Sequence, residues 1–128
     1  MAVMFTYGNI LAVGIGAALG AWLRWVLGLF FNAGAWPWGT MAANLVGGYL
    51  IGVMVALVAG HPDWPAWIRL ICITGFLGGL TTFSTFSAET VGFVERGAYA
   101  TALLYAGSSL AGSLLLTAAG LYTVRSLT

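Results

Sequence analysis

Polar residues in this chain gather in a few short clusters, separated by long apolar runs. Four such runs cover about residues 9–31, 39–59, 66–93 and 98–124. Each reaches the ~20 residues that a helix needs to cross a bilayer. The breaks between them are short. Residues 32–38 form a turn with Gly34 and Pro37. Gly60-His61-Pro62-Asp63-Trp64-Pro65 is a loop with two prolines and a charge, and Glu95-Arg96-Gly97 is a charged turn. Arg125 closes the last run. Connections this short predict antiparallel neighbours in a four-helix bundle. Trp36, Trp38, Trp64 and Trp67 flank the loops, where amphipathic rings favour the headgroup zone.

The third run is not an ordinary span. Residues 74–89 read Thr-Gly-Phe-Leu-Gly-Gly-Leu-Thr-Thr-Phe-Ser-Thr-Phe-Ser-Ala-Glu. Glycine weakens a helix, and a run of hydroxyls brings polar groups into hydrocarbon. Non-helical backbone at membrane depth survives only where it is buried in protein or lines a wet cavity. The pattern predicts a third helix broken near the midplane for a polar purpose. Small residues also recur four apart, as in Gly16/Gly20, Gly48/Gly52 and Gly75/Gly79, a spacing that lets helix backbones approach closely.

Composition narrows the class. The chain has 128 residues, 61% hydrophobic and only 5% charged, with a mean hydropathy of +1.00. A soluble surface is typically about a quarter or more charged, so residues 1–128 are expected to form a single all-α integral membrane domain. A net charge of +1 without lysine argues against nucleic-acid binding, which needs clustered basic residues. The single Cys72 excludes an internal disulfide and a cysteine-based metal site. The N-terminal stretch lacks a basic region followed by a small-residue cleavage site, so no removable signal is expected. His61 is the only histidine and lies in a loop. No nucleophile–base–orienter set can be assembled around it, and an enzyme is not expected.

The charges bear on orientation. With both termini on one side, Arg69 and Arg125 lie toward that side, and Arg24 and Arg96 toward the other. Two against two leaves the positive-inside rule without a preference, so the chain could insert both ways. A compact four-helix bundle also fills its own centre and leaves no pore. Together these points predict two copies in opposite orientations, packed as a two-fold dimer.

Several span residues could carry chemistry. Arg24 lies about two-thirds along the first span. It can snorkel to the nearer interface beside Trp22 and Trp25, or build an electropositive vestibule that concentrates anions. Asn44 can glue helices or donate hydrogen bonds, and Thr40 shares its face one turn earlier. Tyr105, Ser109 and Ser113, at i, i+4 and i+8, place three hydroxyls on one helix face, with Thr117 continuing the series. A lone serine usually bonds back to its i−4 carbonyl, but a column resembles a track between donors. Phe83 and Phe86 alternate with Ser84, Thr85 and Ser87. They can be ordinary packing, or can turn ring edges toward polar groups, because an aromatic edge carries the positive end of the ring quadrupole. Glu89 is the only carboxylate well away from a loop and can accept from hydroxyls or exchange a proton.

The run from Gly75 to Ser87, with Gly39-Thr40 to Asn44 before it, the Tyr105/Ser109/Ser113 column after it and Gly-Ala-x-x-Arg-Trp around Arg24, resembles the Fluc (CrcB-type) bacterial fluoride channels over essentially the whole chain. The resemblance implies a fluoride-selective channel of the bacterial inner membrane that relieves fluoride toxicity. It implies an antiparallel, dual-topology homodimer with two fluoride pathways. Phe83 and Phe86 would contact fluoride through ring edges, and Asn44 would donate in the pore. Tyr105, Ser109 and Ser113 would form the polar track, with Thr40, Ser84, Thr85 and Glu89 along the route and Arg24 at the vestibule. A structural Na⁺ at the dimer centre would be held by backbone carbonyls of Gly78 and Thr81 from both subunits. Two other readings compete. A small multidrug transporter also has four spans and dual topology, but needs a carboxylate in its first span, where this chain has Arg24 and no acid. A structural membrane subunit accounts for the packing glycines but not for the hydroxyl column.

Overall fold

The computed structural model describes residues 4–128. Residues 1–3, part of the stretch read as free of a cleavable signal, lie outside the described residues. Four helical spans are present, Tyr7–Phe31, Trp38–Gly60, Ala66–Glu95 and Tyr99–Leu127, each long and apolar enough to cross a membrane.

Helix α1 (Tyr7–Phe31) begins where the Thr6 hydroxyl accepts the Asn9 N–H, satisfying one of the donors that a helix start leaves free. Its buried residues are Ala12, Gly16 and Gly20, one every four positions and so on one face. That face meets the third span almost backbone to backbone. A Cβ on Gly20 would strike the carbonyl of Phe76, and one on Gly79 would sit 2.5 Å from the carbonyl of Ala17. Helix α2 (Trp38–Gly60) and the last helix use the same device. A Cβ on Gly52 would meet the carbonyl of Thr117, and one on Gly120 the carbonyl of Tyr49. The bundle is therefore two close helix pairs, α1 with the third span and α2 with the last helix, joined along α1 and α2.

The third span is built in pieces. Helix α3 (Ala66–Arg69) starts after Pro65 and runs into a π-helical segment, Leu70–Leu77, and the short α4 (Gly78–Leu80). The chain then leaves helical geometry. Thr81 is extended, at φ −85° and ψ 154°, and Thr81-Thr82-Phe83 connect to α5 (Ser84–Glu95). Helix α6 (Tyr99–Leu127) completes the chain.

The span is thus interrupted as the hydroxyl run implies, but the glycines are not the interruption. Gly75, Gly78 and Gly79 lie in helical backbone. Gly75 and Gly79 serve close packing on α1, and the break falls on the β-branched and aromatic residues after them.

Candidate functional site

The break raises an accounting question, because helical hydrogen bonds are lost around Thr82 inside a membrane-spanning segment, although the Thr81 N–H still bonds the Leu77 carbonyl and the Phe83 carbonyl still accepts from Ser87. Asn44, on α2, answers most of it. Its Oδ1 accepts the Thr82 N–H at 2.8 Å, and its Nδ2 donates to the Thr82 carbonyl at 2.9 Å. The amide thus replaces both backbone partners that Thr82 would have had in a helix. One donor hydrogen of the Asn44 NH₂ remains. The α5 side is closed by Thr82 itself, whose Oγ1 accepts the Thr85 N–H at 3.1 Å as an N-cap does. The Ser84 hydroxyl lies 3.4 Å from the same Oγ1. On the α4 side, Thr81 Oγ1 donates to the Leu77 carbonyl at 2.8 Å, and Arg24 Nε reaches across from α1 to the Gly79 carbonyl at 3.0 Å. A cation at the C-terminal end of a helical segment is favourably placed.

In a continuous helix the carbonyls of Gly78, Leu80 and Thr81 would accept from the N–H groups of Thr82, Ser84 and Thr85. The Thr82 and Thr85 donors go instead to Asn44 and to Thr82 Oγ1, and no backbone bond joins Ser84 to Leu80 across the break. Free carbonyl oxygens are suitable ligands for a hard cation. Among the described residues no group of three or more His, Cys, Asp or Glu could hold a metal ion, so a cation here would rely on such backbone oxygens.

Beside the break lies a groove of about 350 Å³, lined among others by Asn44, Thr82, Phe83, Phe86, Ser109 and Ser113. Thr81 and the close-packed Gly47 and Gly48 form part of its wall. Ser109 is 5% exposed, and its Oγ is the one buried side-chain polar atom without a hydrogen-bond partner among the described residues. Such a group costs ~1–3 kcal/mol unless something binds it. Phe83 is 79% exposed on the single chain. Its ring lies 5.8 Å from that of Phe86, which in turn lies 5.3 Å from that of Tyr105.

Tyr105 joins the groove to a second polar cluster. It is fully buried, and its hydroxyl donates to Glu89 Oε1 at 2.8 Å. Thr40 Oγ1 donates to Glu89 Oε2 at 2.9 Å. Asn32, in the turn after α1, donates from Nδ2 to Thr40 Oγ1 at 3.1 Å, and its Oδ1 accepts the N–H groups of Gly39 and Thr40. Trp36 and Phe93 meet the Tyr105 ring edge-to-face, at 5.4 and 5.8 Å.

The candidate residues therefore fall into two neighbouring groups, with the rest around the break. Asn44, Phe83, Phe86, Ser109 and Ser113 share the groove. Thr40, Glu89 and Tyr105 share one hydrogen-bonded chain. Arg24 sits at the break rather than in either group, and Ser84 and Thr85 begin α5. Thr117 bonds to the carbonyls of Gly48 and Ser113, which makes it a tie between α2 and α6. Two residues escape a reading of spacing alone. Thr82 caps α5, which the Thr-x-x-Thr pattern at 82–85 signals. Asn32 lies in a turn, where no periodicity points to it.

The family described as CrcB-like protein, Camphor Resistance (CrcB), matches residues 11–121. The fluoride-specific ion channel FluC of Bordetella pertussis is 73% identical over 124 residues, covering 95% of this chain and 97% of the relative. That of Bordetella bronchiseptica is 75% identical over 117 residues, 91% of each. That of Ralstonia nicotianae is 56% identical over 118 residues, 91% of this chain and 94% of the relative. Four apolar spans and bacterial relatives mark a multi-pass protein of the inner membrane, and the chain belongs to the CrcB-like, FluC-type family.

Proposed function

We propose that this protein is a fluoride-selective channel that lets fluoride leave the cytoplasm, working as an antiparallel homodimer with two pathways. The observation that carries the reading is Ser109. A membrane protein has buried a hydroxyl without a partner, in a groove that also holds the free donor hydrogen of Asn44 and the Phe83 and Phe86 rings. Fluoride is small and strongly hydrated, so it enters hydrocarbon only if other donors replace its water. Neutral donors and ring edges do so without the fixed cation that would trap it, and conduction needs sites weak enough to release the ion.

The start of α5 adds to this. Its first N–H groups and helix dipole present partial positive charge beside Phe83. From the groove the route continues past Phe86 to Tyr105 and the Thr40–Glu89 cluster. Arg24 biases the neighbourhood of the break toward anions. The names of the FluC relatives agree with this ion.

Dimerisation follows from the same features. Phe83 is too exposed on one chain to enclose an ion. A second copy in the opposite orientation would cover it. The Gly78 and Thr81 carbonyls fit a shared Na⁺, which would supply fixed positive charge and join the two breaks at the dimer centre.

The reading is tested in bacteria that lack their own fluoride exporter. Cells producing this chain are expected to grow in fluoride that stops the parent strain, and equal sensitivity would contradict the proposal. Ser109→Ala is expected to slow fluoride release about tenfold, roughly 1.4 kcal/mol of barrier. It should leave the melting temperature unchanged or higher, because it removes an unsatisfied hydroxyl.

A further inference from the structure

The Thr40–Glu89–Tyr105 cluster has a direction, and a residue outside it fixes that direction. A threonine hydroxyl has one proton to give and two lone pairs. Thr40 Oγ1 stands between Asn32 Nδ2, 3.1 Å away, and Glu89 Oε2, 2.9 Å away. The amide can be placed only one way round. Its Oδ1 accepts two backbone N–H groups, from Gly39 at 2.7 Å and Thr40 at 3.2 Å, which leaves the NH₂ facing the hydroxyl. The hydroxyl is therefore an acceptor toward Asn32, and its proton is aimed at Glu89. The other carboxyl oxygen of Glu89 accepts from Tyr105. Thr40 and Tyr105 are both buried.

The local geometry that holds Asn32 in place is tight. Its own N–H donates to the Gly28 carbonyl at the end of α1. A Cβ on Gly39 would sit 2.9 Å from Asn32 Oδ1 and would strike the Leu27 carbonyl. Only a glycine at 39 lets the turn close far enough for one amide to cap α2 and reach Thr40 together. Helix α2 has no other side-chain cap, since its N-cap position is Pro37.

We propose that Asn32 is a positioning residue for the ion route. Through Thr40 it sets the polarity of the hydrogen-bond chain, so that Glu89 is held by two donors and its carboxyl oxygens are turned away from the passing anion. The effect on permeation rests on the fluoride-channel reading, whereas the polarity of the chain does not.

The test is a swap of amide and carboxylate across Thr40. Asn32→Asp keeps both caps on α2 but faces Thr40 with a second acceptor, so two carboxylates compete for one proton. Glu89→Gln can still accept from Tyr105. In the double variant the new amide at position 89 would donate to Thr40, and the new carboxylate at position 32 would accept from it, which rebuilds the chain in reverse. Each single variant is expected to melt below the wild type, and the double variant to recover most of the loss. An Asn32→Asp variant that melts like the wild type would show capping alone and overturn the proposal. So would a double variant no better than the worse single one. In proteoliposomes Asn32→Asp is expected to slow fluoride release at least tenfold per folded dimer, and release within twofold of wild type would overturn the role in permeation. Wild-type protein that passes no fluoride would refute the channel reading, while the melting comparison would still decide the polarity of the chain.

Discussion

Asn44→Asp slows fluoride release at least ~100-fold while leaving the protein folded; that is the expected result of altering the residue that closes the break. Asn44 is bonded on both sides to the Thr82 backbone, with its Nδ2 on the carbonyl. Aspartate keeps the acceptor for the N–H but sets a carboxylate oxygen against the Thr82 carbonyl. It also removes the spare donor hydrogen from the groove. Its charge would face an anion pathway, and two unit charges ~4 Å apart at an effective dielectric near 20 interact by ~4 kcal/mol. A hundredfold loss needs only ~2.7 kcal/mol, so repulsion reduced by water would still suffice. Both Asn44 bonds lie within one chain, so the mass of the detergent-solubilised protein should not change. Fluoride release from proteoliposomes at the wild-type rate would remove Asn44 from the pathway.

The second large effect is expected at Phe83. Phe83→Ile keeps an apolar side chain but removes the ring edge. Phe83 is mostly exposed on its own chain, so the substitution costs little packing within the monomer, in contrast to Phe86, which packs against the Tyr105 cluster. A fluoride release rate at least tenfold lower per folded protein is the expected outcome. A rate equal to wild type would mean that the ring packs rather than conducts.

The four spans were legible because hydrocarbon imposes a simple demand: ~20 apolar residues between short polar turns. The interruption was legible for a related reason, since Thr81-Thr82-Phe83-Ser84-Thr85 carries more hydroxyls than a continuous lipid-facing helix would need. The glycines carried two signals, and the four-residue spacing of Gly75 and Gly79 marked close packing. Gly75 and Gly79 weaken a helix in isolation, but in the bundle their lack of a Cβ lets α1 come within backbone contact, and packing outweighs propensity. The partners of Asn44, Arg24 and Asn32 were not legible. Spacing places a residue on a helix face, yet the group it meets belongs to another helix, 38 or 55 positions away for Asn44 and Arg24. The helix-gluing and donating readings of Asn44 are compatible, because one amide can bind the break with two of its four hydrogen-bonding sites and keep a donor hydrogen.

The same geometry bears on the multidrug-transporter alternative. A proton-coupled carrier needs a carboxylate free to exchange protons with its cargo. Glu89 is on the third span, not the first, and both of its oxygens are engaged by Thr40 and Tyr105. The groove presents donors and ring edges instead, which suits a small anion better than an organic cation.

Fluoride release from liposomes containing the purified protein tests the central claim most directly. An electrode outside vesicles loaded with fluoride should register rapid release once an ionophore balances the charge, and the same vesicles loaded with chloride should release almost none. Well-folded protein that releases no fluoride, or that releases chloride equally fast, would contradict the account.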